Sequence, residues 1–235
     1  MKTLAFALLT GLLSVPPAFA VSVGQIDTFE DGTALNWQKG SLIDPSFDTI
    51  NQATGGPNGL NDHYLSSISH GGGGEFNAGK RQILFNTSQW TGNYLSAGIS
   101  AIKMDLQSFD DLNFSNDLAI RIAVRGASGT RYGSGTAFNL AVDGQWHSFT
   151  FDLSDLVLIS GTDSLADVLS SVDTLRILSA ANGPTWQGDT IESFLGVDNI
   201  SAVPLPAAAW LFISAFISLV GFRKTNNLQR VLFQK

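Results

Sequence analysis

Polar and apolar positions alternate with a period of two along many short segments of the chain. This alternation is the pattern of half-buried β-strands. Residues 101–107 and 118–125 show it most clearly, since each places three aliphatic side chains on one face: Ile102, Met104 and Leu106 in the first, and Ile120, Ile122 and Val124 in the second. We expect these two strands to lie side by side, with their polar positions on one shared outer surface.

Further strands are expected at residues 24–30, 64–68, 82–86, 147–153, 174–179 and 195–203. Segments rich in Gly, Pro and Asn separate them and indicate turns. One short helix is expected at residues 165–172, with Ser164 as its N-cap. Short strands, glycine-rich turns and one brief helix predict an all-β fold, an antiparallel jelly-roll β-sandwich over residues 21–203.

The first 20 residues have the pattern of a secretory signal peptide. Lys2 supplies a positive charge, residues 4–15 form an apolar run, and Ala18 and Ala20 fit an A-x-A cleavage site. We therefore predict export through the Sec translocon and removal of residues 1–20 by signal peptidase. The chain has no Cys, which excludes disulfides, zinc–thiolate sites, thiol catalysis and thioester lipid anchors.

A second apolar segment, residues 207–222, carries no charge and is followed by Arg223 and Lys224. As a helix with a rise of about 1.5 Å per residue it would span about 24 Å, slightly less than the roughly 30 Å hydrocarbon core. The basic pair predicts a transmembrane helix with its C-terminal end in the cytoplasm, and residues 225–235 as a cytoplasmic tail. A buried core helix is the alternative.

Val203, Pro204, Leu205 and Pro206, followed by this hydrophobic segment and the basic pair, resemble the PEP-CTERM sorting signal in its variant that begins V-P-L-P-A. The resemblance covers about 30 residues at this end, with residues 204–224 as the sorting signal, and it implies a Gram-negative bacterium that makes exopolysaccharide. It also implies an exosortase, a membrane protease that cuts near the Pro-x-Pro. We accordingly expect an inner-membrane anchor in transit, and then a place in the cell envelope, on the outer surface or in the extracellular matrix.

The body of the chain carries a second resemblance. It contains the segments FEDG at residues 29–32, WHSFTFDL at 146–153, LRIL at 175–178 and LGVDNISAV at 195–203. In this order they resemble secreted PEP-CTERM proteins with a carbohydrate-binding-module-like or laminin-G-like sandwich. The resemblance implies a fold more than a ligand.

The charge of the body disfavours one class of partner. All 20 acidic residues lie between Asp27 and Asp198, a stretch that holds eight of the 13 basic residues, so its net charge is 8 − 20 = −12. Such a body repels phosphate backbones, and we expect no nucleic-acid binding. This negative charge also disfavours binding of strongly anionic glycans, unless basic side chains form a local positive patch or Ca²⁺ bridges the protein and the glycan.

Acidic residues at the two ends of the body suggest a calcium site. Asp27, Glu30 and Asp31 end the first predicted strand, and Asp198 lies in the last. The first and last strands of jelly rolls commonly pair, and Ca²⁺ prefers six to eight hard oxygen ligands. Sandwiches of the resembled type often hold one structural Ca²⁺ in this place. We predict Glu30 and Asp198 as its main ligands, with Asp27 or Asp31 in addition; alternatively, these acids only cap turns.

A glycan-binding surface would combine aromatic rings that stack on sugars with planar polar groups. The outward positions of the two clearest strands offer Arg121, Arg125, Lys103 and Asp105 as the polar groups. Trp90, Tyr94 and Trp186 lie next to turns and are the expected stacking residues, while Trp37, Tyr132 and Trp146 are further aromatics of the body. The alternative is that the rings fill the core and the basic residues only keep a face soluble.

Catalytic motifs are weak in this sequence. The three histidines lack the H-E-x-x-H spacing of a metal site, and Gly133-Ser134-Gly135 is not a nucleophile elbow. We therefore predict no enzyme, but a secreted, exosortase-sorted module that binds or packs in extracellular polysaccharide or biofilm matrix. Two alternatives stay open: a purely structural cell-surface protein without glycan binding, and a polysaccharide hydrolase or lyase with paired carboxylates.

Overall fold

The computed structural model describes residues 20–39, 49–72, 79–110 and 116–204. These residues form two antiparallel sheets. Sheet A contains, in spatial order, β10 (His147–Asp152), β6 (Ile99–Ser108), β13 (Glu192–Pro204), β4 (Tyr64–His70) and β3 (Ile50–Gln52), with β1 (Ile26–Asp27) also paired to β13. Sheet B contains β11 (Leu156–Ser160), β8 (Arg131–Ser134), β7 (Leu118–Gly126), β12 (Val172–Ser179), β5 (Ile83–Asn86) and β2 (Gln38–Lys39), with β9 (Phe138–Leu140) also paired to β7.

The core lies between the two sheets and is built by the alternation seen in the sequence. The side chains of Ile102, Met104 and Leu106 on β6, and those of Ile120, Ile122 and Val124 on β7, are all fully buried in one cluster. Burial of apolar area of this kind contributes roughly 25 cal/mol per Å² and is the main force that holds the sheets together. The predicted all-β, antiparallel jelly-roll sandwich is confirmed.

One expectation about the arrangement is wrong. Strands β6 and β7 are not neighbours, because β6 lies in sheet A and β7 in sheet B. Their apolar faces meet across the core, so their polar faces point away from each other. Lys103 therefore lies on the opposite outer surface from Arg121 and Arg125, and the three cannot form one patch.

The predicted helix is present but shorter than expected. It covers Leu165–Leu169 and is capped by Ser164, whose side chain accepts a hydrogen bond from the backbone N–H of Asp167 in a capping box. The chain leaves the helix before Val172 because that residue starts β12 and pairs with Gly126.

The first and last strands pair as expected, with Ile26 opposite Ser201 and Asp27 opposite Ile200. Val203 and Pro204 of the predicted sorting signal end β13. Residues 1–19 and 205–235 lie outside the described residues, and with them most of the predicted signal peptide and the predicted transmembrane segment. Within the described ranges, no helix has the length and apolar character needed to cross a bilayer.

Candidate functional site

Four aromatic side chains gather on the outer face of sheet A. The ring of Trp146 meets Tyr64 edge-on at 5.3 Å, Tyr64 stacks on Phe109 at 5.8 Å, and Phe109 lies 4.3 Å from Phe194. We call these four residues the aromatic patch. All but Tyr64 are partly exposed, so a ligand can reach ring surface there.

The aromatic patch depends on a glycine below it. A Cβ at Gly196 would lie 2.9 Å from Cη2 of Trp146 and 3.0 Å from Cε2 of Phe109. These distances are shorter than ordinary van der Waals contacts, so a side chain at this position would displace both rings. Trp146 is held from its other side as well, because its indole N–H donates to the carbonyl of Gly55 at 3.0 Å.

Polar groups lie beside the rings on the same face. Asn199 breaks the regular pairing of β13 and adopts a positive φ of 50°, a conformation that Asn tolerates better than most residues. Its side-chain amide donates to a carboxylate oxygen of Asp105 at 2.9 Å and to one of Asp198 at 3.2 Å. Rings and hydrogen-bonding groups therefore occur together, which is the combination that sugars require.

Four carboxylates, those of Glu30, Asp62, Asp105 and Asp198, form what we call the acidic edge. Asp198 is only 1% exposed, and its pKa is raised to about 7, mainly by burial. The negative charges of Asp62, Asp105 and Glu30 contribute to this rise, and the backbone N–H of Asn199 opposes it. Glu30 and Asp198, predicted to lie together, are thus close enough to interact.

The acidic edge offers the donor chemistry of a calcium site but not a finished ligand set. Carboxylate oxygens are the hard donors that Ca²⁺ prefers. Glu30 accepts the backbone N–H of His63 at 3.0 Å, and Asp62 accepts that of Asn58 at 2.6 Å. Across the ranges that the structure describes, no three His, Asp or Glu side chains converge closely enough to hold a metal ion. An ion would have to draw these carboxylates together.

The other two predicted metal ligands have different partners. One oxygen of the buried Asp27 carboxylate accepts hydrogen bonds from the indole N–H groups of Trp37 and Trp90, each at 2.7 Å, and from the side chain of Gln89 at 3.1 Å. Burial raises the pKa of Asp27, although these three donors act against the shift. Asp31 is exposed and bonds Thr33 within its own turn at 2.8 Å.

All three predicted stacking residues are buried. Trp90 and Tyr94 are fully buried in the core, and Trp186 is only 8% exposed. The turns next to them do not lie open, because they pack onto the sandwich and need large apolar side chains to fill the space. The expectation that these rings stack on sugars is therefore not met in this structure.

Arg121 is also a structural residue. Its guanidinium group donates to the backbone carbonyls of Ala180, Ser134 and Gly135 at 2.8, 2.7 and 2.6 Å, and the residue is 7% exposed. These contacts link β7 to the ends of β8 and β12 in sheet B. Arg125 remains partly exposed and forms a 2.8 Å ion pair with Asp173.

An apolar groove of about 470 Å³ lies elsewhere, along the ends of β6, β10 and β13. The described residues that line it include no aromatic ring. A sugar could not stack there, so this groove is a weaker candidate for glycan binding than the aromatic patch.

The molecule is therefore a jelly-roll β-sandwich with an open aromatic surface on one outer face. No protein-family model matches the chain, and no curated protein does either. Among solved structures, an exo-β-agarase matches with a TM-score of 0.52 at 15% identity, over 79% of this chain and 25% of the agarase. The chain thus spans about a quarter of that enzyme, and the likeness shows the fold alone.

Two structures of the family 11 carbohydrate-binding module of Clostridium thermocellum also match, both with TM-scores of 0.46. One, from the cellulosomal cellulase Lic26A-Cel5E, is 13% identical over 79% of this chain and 96% of the module. The other, in complex with a β-1,3-1,4-mixed-linked tetrasaccharide, is 15% identical over 78% of this chain and 99% of the module.

Sequence reasoning missed several residues of these surfaces. Phe109 directly follows β6, and Phe194 lies within β13. They are far apart along the chain, and no local sequence signal indicates that they form one cluster. Asp62 and Asp105 were not assigned to the acidic edge, because their approach to Asp198 depends on which strands are neighbours. The register that pairs Asp105 with Asp198 is visible only in the folded sheet.

Proposed function

We propose that this chain is an exported, non-catalytic module that binds glycan at the aromatic patch. The observation that carries the proposal is the partly exposed ring cluster around Trp146, next to carboxylate and amide groups on an open sheet face. Aromatic rings supply apolar faces for pyranose rings, and fixed amides and carboxylates supply directional contacts for hydroxyls. An open face, rather than an enclosed cavity, suits a polymer chain that lies along the surface.

Trp146 has the central role in this proposal, because its ring is partly exposed. Tyr64 is buried and supports that ring, which it meets edge-on at 5.3 Å. Asp105 and Asn199 would provide hydrogen-bond partners. Asp198 is too deeply buried to touch a polymer, so it would not contact the glycan itself.

We propose the route and destination of the protein on sequence grounds. The signal peptide at residues 1–20 would direct the chain to the Sec translocon and signal peptidase. The segment 204–224 would hold it in the inner membrane until an exosortase-type protease acts near Pro204 and Pro206. The mature module would then reach the cell envelope or the extracellular polysaccharide matrix of a biofilm.

We also propose a structural Ca²⁺ at the acidic edge. Glu30 and Asp198 are its main ligands in this proposal, and Asp62 and Asp105 are further carboxylates within electrostatic reach. A divalent cation would compensate four negative charges that otherwise repel one another. The role of the ion would be to tie the last strand to the loops beside it.

Binding to polysaccharide tests the proposed function directly. The full-length chain is run in affinity electrophoresis through gels that contain neutral polymers such as mixed-linkage β-glucan or agarose. We expect retardation of the wild type and loss of most of it in Trp146→Ala. Leu158→Ala, which removes an exposed apolar side chain from sheet B, is the matched control and should be retarded like the wild type. Unretarded wild type, or equal retardation of Trp146→Ala, would overturn the proposal.

A further inference from the structure

Three arginine side chains converge on one tryptophan on the outer face of sheet B. The guanidinium carbons of Arg176, Arg131 and Arg125 lie 4.0, 5.1 and 5.9 Å from the ring centre of Trp186. We call these four residues the arginine–tryptophan cluster. It lies on the opposite side of the sandwich from the aromatic patch.

Strand pairing brings the three positive charges together. Arg125 on β7 is directly opposite Arg131 on β8, and Arg176 on β12 is opposite Ala123, two residues from Arg125. Like charges in such cross-strand positions repel one another and destabilise a sheet. The pKa of Arg176 is lowered to about 10, mainly by burial and in addition by the positive charges of Arg125 and Arg131.

Only part of this charge is compensated within the described residues. Asp173 forms an ion pair with Arg125. The Nη1 of Arg176 donates to the backbone carbonyl of Trp186 at 2.6 Å, which positions the group without neutralising it. The Nε atoms of Arg131 and Arg176 are both buried and have no hydrogen-bond partner. Buried donors without partners cost free energy, and they call for an unseen acceptor.

The contacts with Trp186 hold the guanidinium groups in place, while the three arginine residues stay partly exposed. An indole ring attracts guanidinium cations and fixes their planes, so little conformational entropy remains to be lost when a ligand binds. Guanidinium forks match the oxygens of carboxylates and sulfates, with two parallel hydrogen bonds to one anion.

We propose that the arginine–tryptophan cluster binds an oxyanion group of an acidic glycan, either a uronate carboxylate or a sulfate ester. Arg131 and Arg176 are the binding residues, because Arg125 already pairs with Asp173. The acidic glycan is favoured over a nucleic acid, since the net charge of −12 on residues 27–198, which already counts these three arginines, repels a dense row of phosphates. The site goes beyond the proposed function, because it uses a different face and a different ligand chemistry.

The test compares acidic and neutral ligands on the full-length chain. The probes are polygalacturonate, dextran sulfate, neutral dextran, sodium glucuronate and inorganic sulfate. Affinity electrophoresis reports polymer binding, and the indole N–H signal of Trp186 in a nitrogen–proton correlation spectrum reports binding at the cluster. We expect both acidic polymers to bind, neutral dextran not to bind, and added salt to weaken the binding.

Variants assign the binding to the cluster. Arg131→Gln and the double variant Arg131→Gln/Arg176→Gln should weaken binding of the acidic polymers at least about tenfold, since loss of one hydrogen bond between charged groups lowers affinity by about that factor or more. Lys103→Gln removes one positive charge from the opposite face and is the matched control, expected to change this affinity less than about twofold. Arg131→Gln keeps the backbone contact of Arg176, so it remains informative if the double variant unfolds.

The possible results separate clearly. Unchanged affinity in Arg131→Gln, or equal binding of neutral dextran, overturns the inference. A Trp186 response to sulfate and glucuronate without polymer binding assigns the site to a small free oxyanion and overturns the glycan as its source. Neither result affects the proposed function, which is tested separately with neutral polymers and Trp146→Ala.

Discussion

The carboxylate of Asp27 accepts a 2.7 Å hydrogen bond from the indole nitrogen of Trp90 in the closed core of the sandwich. Trp37 donates to the same oxygen from the other side, at 2.7 Å. Asp27 belongs to β1, which pairs with the last strand, so this buried carboxylate links the two ends of the body to its interior. Its role is therefore to complete a buried polar network.

Replacement of Asp27 by Ala should destabilise the fold strongly. The substitution leaves two buried indole N–H groups without an acceptor, and we expect the free energy of unfolding to fall by about 2–4 kcal/mol. Urea unfolding at pH 7, followed by tryptophan fluorescence, measures the change. Asp31→Ala, measured with chelator present, is the control, because its carboxylate bonds only within an exposed turn in the described structure. Similar losses in both variants would contradict the role assigned to Asp27.

The raised pKa of Asp198 makes stability depend on pH in a defined direction. In the unfolded chain this carboxyl ionises near its ordinary value of 3.8, whereas in the folded state it ionises at about 7. The folded state therefore binds the proton more tightly, so the free energy of unfolding should decrease as the pH rises from about 4 to about 7. The raised pKa of Asp27 contributes in the same direction.

Asp198→Asn tests this dependence, because it removes the ionising group and keeps the shape of the side chain. Urea unfolding from pH 4 to pH 7.5, in the presence of chelator, should show a smaller decrease in stability than in the wild type. Asp110→Asn, at an exposed position, should retain the wild-type slope. A slope that is unchanged in Asp198→Asn would contradict the assignment.

Calcium should raise the thermal midpoint if it binds at the acidic edge. A ligand that binds only the folded state stabilises it by RT ln(1 + [L]/Kd), so the shift should increase with calcium concentration. Melts of the full-length chain with CaCl₂ and with chelator measure it, and Glu30→Ala and Asp198→Ala should abolish the shift. Asp163→Ala, at a loop of sheet B, should keep it. A midpoint that does not respond to calcium in the wild type rules the ion out.

Gly196→Ala should impair glycan binding while preserving the fold. The new Cβ would displace Trp146 and Phe109, which lie 2.9 and 3.0 Å from its position, and thereby disturb the aromatic patch. We expect retardation in neutral-glucan gels to fall severalfold, together with a change in tryptophan fluorescence. Gly72→Ala is the matched control, since a Cβ there meets nothing within 4 Å. Wild-type retardation of Gly196→Ala would show that the ring positions do not matter for binding.

The fold class and most of the strands of this protein can be predicted from the alternation of polar and apolar residues along the chain. The alternation in β6 and β7 indicates which side chains are buried. Successive side chains of a strand point to opposite faces, so in a strand that packs on a core every second side chain is buried. The N-cap of the helix was readable for a similar reason, since Ser164 and Asp167 interact over three residues. The pairing of the first and last strands followed from the fold class.

Which outward residues share a surface depends on the order of the strands in the two sheets, which the sequence pattern does not show. Two strands with the same pattern can lie in one sheet or in opposite sheets, and the alternation of β6 and β7 fits both arrangements. Lys103 and Arg125 were therefore wrongly grouped, while Arg125, Arg131 and Arg176 come together through the order β8–β7–β12. The burial of Trp90 and Tyr94, and the exposure of Trp146, depend likewise on how loops pack over the sheets. Such contacts join residues distant along the chain, and no local pattern encodes them.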